Sequence, residues 1–404
     1  MKTTYSILLL VIFTFLSCKS DNSKEQISKV NNQTSTEVQY ENGIYYLEVT
    51  GTPYECGVQH GKALAKEIKQ AVIDYKANVV KTFGEENAPK IIDWALNKSS
   101  FKEDIEKYVP DALEEIRGIA EGSGIPEDDI LLIQMFEEVY EAAPVMIGLK
   151  LEEIFGNGCT AFAVKDGNKM YVGQNMDYSG NLQHKQLVLK YDTPDGQLIC
   201  YSFVGALCTN GVNSNGVSVY ITTLPQGIKR ETDGLGSTFI VYTLLRQTDL
   251  KSALKELKRI PRFGASSYTI ADLEHAIIVE TSANEEKVRR MTDEITYLVQ
   301  TNHMIEIKER KDFPGMYENG EPLLGMNLLT KERKIACETK LNAMLGKTNA
   351  DGIKDILRTT PNNIYQPLFM TLVSSFAEYD GKTIKFHASA GFDPGRGWNT
   401  YTFE

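Results

Sequence analysis

The sequence predicts an α+β fold in which antiparallel sheets carry layers of helices on their outer sides. Up to about residue 157 the pattern is mainly helical, because apolar residues recur every three or four positions. From Cys159 onward the chain changes to short strands bounded by turn residues. These strands are interleaved with pairs of helices, whereas strict strand–helix alternation would indicate a parallel sheet.

The part before residue 158 is predicted to hold one strand followed by helices. The strand is Ile44–Val49, and the helices are Ala63–Val80, Phe101–Ile119 and Ile130–Ala142. Pro110 is expected to divide the second helix, since a proline inside a helix removes a hydrogen bond and clashes with the preceding turn.

The rest of the chain is predicted to contain ten strands and three more helices. The helices are Thr238–Leu245, Leu250–Arg259 and Thr330–Leu345. The strands are Cys159–Val164, Met170–Asn175, Gln186–Tyr191, Leu198–Phe203, Val217–Thr222, Ser267–Ala271, Ala276–Glu280, Ile295–Gln300, Leu368–Phe376 and Thr383–Ser389. Gly211–Gly216, which holds Asn213 and Asn215, is a turn by composition, and a place beside a substrate cleft stays open for it.

Composition excludes several classes of protein. Of 404 residues, 42% are hydrophobic and 24% are charged, which excludes a disordered chain and a multi-span membrane protein. Lys and Arg number 43 against 54 Asp and Glu, so the net charge is −11 and a nucleic-acid partner is not expected. Neither a nucleotide-binding glycine motif nor a CxxC or HxxxH spacing occurs. We therefore expect no cofactor and no metal.

Residues 1–17 are predicted to be a signal peptide. Met1-Lys2 is a basic start, and Ile7–Leu16 is a run of ten residues that is apolar apart from one threonine. Such a run is shorter than the about 20 residues that span a bilayer, but it fits a secretory signal. It leads into Leu16-Ser17-Cys18, which resembles a bacterial lipobox, with Phe15 at the outermost position where leucine is usual.

Cys18 is accordingly the predicted lipidation site, and a plain secretory signal is the alternative. Residues 18–42 are polar and rich in Ser, Asn, Lys and Glu, so we expect a flexible tether. The mature protein is thus predicted to be extracytoplasmic and lipid-anchored to a bacterial membrane, on its periplasmic side or at the cell surface. The lipid would be its only membrane contact.

Four further cysteines must be assigned in that oxidising compartment. Cys56, Cys200, Cys208 and Cys337 allow three pairings, and their spacing does not select one. Disulfides and buried free thiols both stay open.

A predicted hairpin concentrates polar residues around Cys159. If Asp166-Gly167 is the turn between two strand-like runs, Gly158 pairs with Asn175, Cys159 pairs with Gln174, and Asp177 follows directly. This register places a thiol and two polar side chains at one end of the hairpin. Taken alone, Cys159 is equally typical of a small buried apolar residue in a strand.

Four segments resemble motifs of one known family. They are Gly51–Gly61 (G-x-P-Y-E-x-G-x-x-H-G), Asn157–Thr160 (D-G-C-T, with Asn157 for Asp), Gly173–Asp177 (G-x-N-x-D) and Thr301–Met304 (T-N-H-F, with Met304 for Phe). Their order and spacing resemble those of the acyl-coenzyme A:6-aminopenicillanic acid acyltransferase family, the C45 cysteine peptidase group. Its members are N-terminal-nucleophile hydrolases related to bile-salt and penicillin V amidases.

The resemblance implies a four-layer αββα sandwich with an N-terminal helical segment. It also implies that the chain cleaves itself between Gly158 and Cys159. The mostly helical segment 43–158 would then form the C-terminal part of a small fragment, and 159–404 would form the catalytic fragment. The cleaved N-terminal fragment would stay bound as a partner.

The resemblance also implies the roles of the site residues. Cys159 would be the nucleophile, and its freed α-amine, with a pKa of about 8, would be the base. Asn302 would donate to the oxyanion, Asp177 would orient the amine, and Asn175 would be a second polar contact. The alternatives are a turn residue for Asn302 and an exposed loop carboxylate for Asp177. His303 is expected to buttress Asn302.

The predicted function is hydrolysis of a linear, non-peptide amide in a small N-acylated molecule, through an acyl-Cys159 intermediate. Three alternatives stay open: acyl transfer to an amine, a conventional thiol protease with His303 or His60 as base, and a non-catalytic surface-binding lipoprotein. Ser267 stands where many relatives have Asn, so contacts of that position are not inferred. Tyr54 and His60 are expected to pack, and Arg246 to form a buried ion pair.

Overall fold

The structure, a computed structural model, describes residues 37–147, 158–178, 182, 184–224, 234–282, 285–307, 317–318, 321–322, 329–366 and 369–403. The predicted signal peptide, Cys18, most of the predicted tether and Asn157 lie outside these residues. Within them, no helix is both long enough and apolar enough to cross a membrane.

Strands and helices occur in groups along the described residues. The strands are β1 (Gln39–Glu41), β2 (Ile44–Thr50), β3 (Gly158–Asp166), β4 (Lys169–Tyr178), β5 (Gln186–Thr193), β6 (Gly196–Phe203), β7 (Asn210–Asn213), β8 (Ser218–Thr223), β9 (Ser266–Ala271), β10 (Ala276–Thr281), β11 (Glu286–Arg290), β12 (Tyr297–Gln300), β13 (Tyr317–Glu318), β14 (Glu321–Pro322), β15 (Tyr365–Gln366), β16 (Phe369–Tyr379), β17 (Ile384–Ala390) and β18 (Asn399–Thr402). The helices are α1 (Pro53–Ala63), α2 (Ala65–Phe83), α3 (Ala88–Asp93), α4 (Phe101–Tyr108), α5 (Pro110–Ser123), α6 (Glu127–Gln134), α7 (Phe136–Met146), α8 (Ser237–Leu244), α9 (Leu250–Arg259), α10 (Thr330–Met344) and α11 (Ala350–Arg358), with a π-helical turn at Trp94–Lys98 after α3.

Two large sheets lie between two layers of helices. One sheet has the order β1-β2-β5-β6-β7-β8-β9-β10-β11, and the other has the order β12-β3-β4-β16-β17-β18 with β15 beside β16. Apolar side chains of both sheets form one core between them, which includes Cys159 of β3 and Tyr201 of β6. The outer side of the first sheet packs against α1–α9, and that of the second packs against α10 and α11. The predicted four-layer αββα architecture is therefore confirmed.

Several predicted boundaries differ from the structure. The strand β1 lies inside the segment predicted as tether, and Met135 separates α6 from α7 where one helix was predicted. The predicted turn Gly211–Gly216 overlaps β7, in which the Asn213 amide donates to the carbonyls of Leu245 and Gln247 at 3.0 and 2.7 Å. The prediction also missed α1, α3, α11, β11 and β18. The helix α11 was not predicted because it contains Asp351-Gly352, a pair of residues that is typical of a turn.

The N-terminal glycine motif is explained by helix packing. The helices α1 and α5 cross with Gly57 and Gly61 facing Gly118 and Gly122. A Cβ on Gly57 would lie 2.1 Å from the Glu115 carbonyl oxygen, so these helices approach too closely for any side chain at that position.

The hairpin register differs by two residues from the prediction. Gly158 pairs with Asp177, and Cys159 pairs with Met176, because the two-residue loop is Gly167-Asn168 rather than Asp166-Gly167. Gly167 has φ +63°, which a glycine adopts without strain at the first position of such a loop. A shift of two keeps every side chain on its predicted face of the sheet, but it moves Asp177 directly opposite the predicted cleavage bond.

Candidate active site

Cys159 lies on β3, near one end of the strand, in the layer between the two sheets. Its side chain is buried among apolar neighbours of both sheets. Burial, then the nearby carboxylates of Asp177 and Glu137, raise the pKa of the thiol well above its ordinary value, and Arg333 opposes them. The thiol is therefore neutral, and its activation requires a proton acceptor in direct reach.

Asn302 contacts the backbone of Cys159 through its side-chain oxygen. The Cys159 N–H donates to Asn302 Oδ1 at 2.7 Å, while Asn302 Nδ2 donates to the Thr223 carbonyl at 2.9 Å. The two residues are thus adjacent, as predicted. In this contact the Asn302 side chain accepts from the backbone nitrogen of Cys159, and its donation to an oxyanion stays a prediction.

Arg333 on α10 donates hydrogen bonds to three residues of this site. Its side chain is fully buried, and its guanidinium donates to Asn302 Oδ1 at 2.8 Å, to Thr160 Oγ1 at 2.9 Å and to the Cys159 carbonyl oxygen. A buried guanidinium with several acceptors fixes the positions of all of them. The backbone of Cys159 is therefore held on both its nitrogen side and its oxygen side.

Asp177 lies at the end of β4, opposite Gly158, and is fully buried. Thr371 Oγ1 donates to its Oδ1 at 2.6 Å, and Arg333 Nη1 lies 3.8 Å from its Oδ2. Burial raises the pKa of Asp177 to about 7, against the opposing effects of Arg333 and Thr371. Within the described residues, Oδ2 has no hydrogen-bond partner. Asp177 is therefore not the exposed loop carboxylate of the alternative interpretation.

Asn175 is hydrogen-bonded to the end of α11, and none of its hydrogen bonds among the described residues goes to Cys159. It pairs with Thr160, and its Nδ2 donates to the carbonyls of Leu357 and Asn362 at 2.7 and 2.8 Å, at the end of α11. Because successive side chains of a strand point to opposite faces, Asn175 and Asp177 share the face of β4 that is turned toward α10 and α11 and away from the Cys159 thiol. The role of Asn175 is to attach α11 to the sheet.

Residues 164–317 match the model of the family described as acyl-coenzyme A:6-aminopenicillanic acid acyl-transferase. The predicted family is confirmed for this segment. It contains Asp177 and Asn302, whereas Cys159 and Arg333 lie on either side of it.

Curated relatives of the chain include an uncharacterized protein of Archaeoglobus fulgidus, which is 25% identical over 309 residues, 70% of this chain and 49% of that protein. Protein dcd1A of Dictyostelium discoideum is 33% identical over 122 residues, 27% of this chain and 28% of that protein. The chain thus spans about half the length, or less, of these relatives.

Among solved structures, a mutant of conjugated bile acid hydrolase from Clostridium perfringens is similar at 14% identity and a TM-score of 0.41, over 61% of this chain and 97% of that one. Penicillin V acylase from Agrobacterium tumefaciens is similar at 12% identity and a TM-score of 0.39, over 61% of this chain and 86% of that one. At these scores, neither likeness says what this chain acts on.

Within the matched residues 164–317, a buried carboxylate positions the loop that carries Asn302. Glu280 on β10 is fully buried and accepts from the N–H groups of Ile305, Glu306 and Ile307 at 2.8–3.1 Å. These three groups follow Asn302 closely in the chain, so Glu280 fixes the course of the loop that presents Asn302 to Cys159.

The histidines do not form a thiol–imidazole pair. His303 Nδ1 lies 2.9 Å from Thr330 Oγ1, and His60 Nε2 accepts from the Gly205 N–H at 3.1 Å. Burial, aided at His303 by nearby lysines and arginines, lowers the pKa of both imidazoles to about 4. In the described ranges neither ring is hydrogen-bonded to Cys159. His303 fastens the start of α10 to the loop that carries Asn302, since the same Nδ1 also lies 3.2 Å from Thr301 Oγ1.

The other residues singled out in the sequence have structural surroundings. The Tyr54 hydroxyl donates to Glu121 between α1 and α5, and Arg246 pairs with buried Glu115 at 3.6 Å, so the predicted ion pair is confirmed. Ser267 is buried on β9, and its hydroxyl has no hydrogen-bond partner in the part of the chain that the structure describes. The described residues contain no cluster of His, Cys, Asp and Glu that could hold a metal ion.

Sequence analysis missed Arg333 because of its neighbours. It stands in Lys331-Glu332-Arg333-Lys334, a charged run that is typical of a solvated helix face. The available signal was periodicity: Thr330, Arg333, Cys337 and Leu341 form one buried stripe along α10, so an arginine lies on the apolar face of an amphipathic helix.

Proposed function

We propose that this protein is a self-processing cysteine amidohydrolase that cleaves a linear amide of an N-acylated small molecule. The observation that supports this most is the arrangement around the backbone nitrogen of Cys159. This nitrogen is held by Asn302 Oδ1, it adjoins Gly158, and Asp177 lies opposite Gly158. A site built around a backbone nitrogen fits an enzyme in which that nitrogen becomes a catalytic amine.

In the first proposed reaction, the Cys159 thiol attacks the carbonyl carbon of Gly158. A carbon–sulfur bond forms, the Gly158–Cys159 amide bond breaks, and the proton that the thiol loses is transferred to the departing nitrogen, which becomes an α-amine. Water then hydrolyses the thioester and releases Gly158 as a carboxylate. Glycine suits this position because it has no Cβ to obstruct the approaching sulfur.

In the second proposed reaction, the α-amine removes the proton from the thiol, and the thiolate attacks the carbonyl carbon of the substrate amide. The leaving amine receives that proton, and water hydrolyses the acyl-Cys159 thioester. Because burial raises the pKa of the Cys159 thiol, the thiol needs a nearby base, and the α-amine of the same residue would be that base. Asn302 Oδ1 and the second oxygen of Asp177 are the acceptors that would orient the new amine.

The self-cleavage is tested by intact-mass analysis and denaturing gels of the purified full chain. Wild type should yield a fragment that begins at Cys159, and Cys159→Ala should stay whole. Cys337→Ala, which removes another buried thiol far along the chain on α10, is the matched control and should still be cleaved. An uncleaved wild type with full amidase activity would instead support a conventional thiol hydrolase.

Acyl transfer is the second candidate, because the matching family is described as an acyl-transferase. The two reactions share the acyl-Cys159 intermediate and differ in whether water or an amine resolves it. Processed enzyme is offered a panel of N-acyl amides with and without an added primary amine. A rise of the transferred amide at the expense of the free acid would identify a transferase, and free acid alone would identify a hydrolase.

We also propose that the protein is a lipoprotein held at a bacterial membrane through Cys18. Support for this comes from the signal-like run and the lipobox-like Leu16-Ser17-Cys18. Metabolic labelling with a clickable fatty acid should mark the wild type and leave Cys18→Ser unlabelled. Labelling of both proteins would contradict the proposal.

A further inference from the structure

Two buried cysteines lie side by side at the junction of β6 and β7. Cys200 is in β6, and Cys208 lies just before β7. Their sulfur atoms are 2.7 Å apart, and neither side chain is exposed to solvent. The structure has both as free thiols in direct contact, and closing the gap to the about 2.05 Å of a disulfide bond requires only a small movement of the two side chains.

The backbone holds the two cysteines in this position. The Thr209 N–H donates to the Tyr201 carbonyl at 2.9 Å, and the Ser202 hydroxyl donates to the Leu207 carbonyl at 2.7 Å. The residues on both sides of Cys208 are thus fastened to the residues that follow Cys200. These bonds keep the backbones of the two cysteines close together.

The neighbouring strand leaves room for the Cys200 side chain. Gly211 of β7 pairs with Cys200, and a Cβ on Gly211 would lie 2.8 Å from the Cys200 Cβ. A larger residue at this position would push the strands apart, so glycine permits the close packing around the cysteine pair.

We propose that Cys200 and Cys208 form a disulfide bond in the mature protein. The bond would form by thiol–disulfide exchange with a small-molecule or protein disulfide. One cysteine thiolate attacks that disulfide, which forms a mixed disulfide and releases one thiol; the second thiolate then attacks the cysteine sulfur of the mixed disulfide and displaces the other thiol. Two protons and two electrons leave the cysteines, and the exchanged disulfide is reduced to two thiols. Because both sulfur atoms are buried in the fold, the exchange takes place before β6 and β7 finish packing.

Cys56 and Cys337, two of the three other buried cysteines, have no such neighbour among the described residues. Cys56 is on α1, where its thiol donates to the Gly51 carbonyl at 3.6 Å, and Cys337 is on α10 in the opposite helical layer. Both are therefore expected to stay reduced, and they provide internal controls for any measurement of thiols.

The disulfide would stabilise a loop that joins the helices to the sheet. Between the two cysteines, the Gly205 N–H donates to His60, and the Leu207 N–H donates to Gln134 at 2.8 Å. Closing the ring from Cys200 to Cys208 restricts this segment in the unfolded chain and so favours the folded state.

The test is to refold reduced full-length chain in a buffer of reduced and oxidised glutathione. The folded protein is then denatured, its free thiols are alkylated with iodoacetamide, and it is digested with chymotrypsin, which cuts after Tyr201 and Phe203. Mass spectrometry should find the Cys200 and Cys208 peptides joined and lighter by two hydrogen atoms, with Cys56 and Cys337 alkylated. Alkylation of both Cys200 and Cys208, or pairing of either with another cysteine, would overturn the proposal.

A second measurement uses stability and does not depend on any enzymatic activity. A reductant should lower the urea midpoint of the wild type but leave that of the Cys200→Ser, Cys208→Ser double variant unchanged. Cys337→Ser, the matched control, should respond to the reductant as the wild type does. Equal response of the wild type and the double variant would count against the disulfide.

Discussion

The buried carboxyl of Asp177 should make the unprocessed chain less stable as the pH rises. Its pKa is about 7 in the folded chain against an ordinary value of 3.8, so the folded state binds this proton more tightly than the unfolded state does. Stability from this group is therefore greatest below pH 4 and is lost as the pH rises toward 7. A difference of about three pKa units corresponds to about 4 kcal/mol of unfolding free energy.

The assay is urea unfolding between pH 4 and pH 8 in a Cys159→Ala background, which keeps the chain whole. Adding Asp177→Asn should make the fall in stability over this interval smaller by about 4 kcal/mol, because an amide does not titrate, whereas the pKa of buried Glu137 stays raised in both proteins. Asp351→Asn is the control, since that carboxylate is largely exposed, at 91%. Parallel pH profiles with and without Asp177→Asn would refute the reasoning. In processed wild type the fall should be shallower, because the new α-ammonium next to Asp177 favours its charged form.

Three further substitutions test the site and its frame. Arg333→Met should cost about 3–5 kcal/mol of unfolding free energy at pH 8, because it leaves Asp177 as an unpaired buried charge. The cost should be smaller at pH 5, where the Asp177 carboxyl is protonated. Equal losses in urea unfolding at both pH values would contradict this. Gly118→Ala should destabilise by about 1–3 kcal/mol, because its Cβ would lie 2.2 Å from the Tyr54 carbonyl oxygen, and a melting temperature equal to wild type would argue against tight α1–α5 packing. Glu280→Gln should slow the appearance, after refolding, of the fragment that begins at Cys159, because the loop that carries Asn302 loses a charged hydrogen-bond acceptor. An unchanged rate would show that Glu280 does not position that loop.

Local patterns were enough to predict the class of fold and the region of the site. Helical periodicity before residue 157 and short strands after it depend on neighbouring residues, and they predicted antiparallel sheets with helical layers outside. Motif order likewise singled out Cys159, Asp177 and Asn302, which the structure brings together. Short elements such as α11 and β18 escaped because a few residues carry too little periodic signal.

The chemistry of the site depended on contacts between residues far apart in the chain. Pairing in the β3–β4 hairpin placed Asp177 rather than Asn175 opposite Gly158, and only the loop geometry at Gly167 distinguishes the two registers. Arg333 reaches Cys159 from a helix 174 residues later, where its charged neighbours conceal it. The class of fold and the region around Cys159 could thus be predicted from the sequence alone. Which groups hold Cys159 was decided by packing, because a strand has two faces and a buried charge is stable only where its partners contact it.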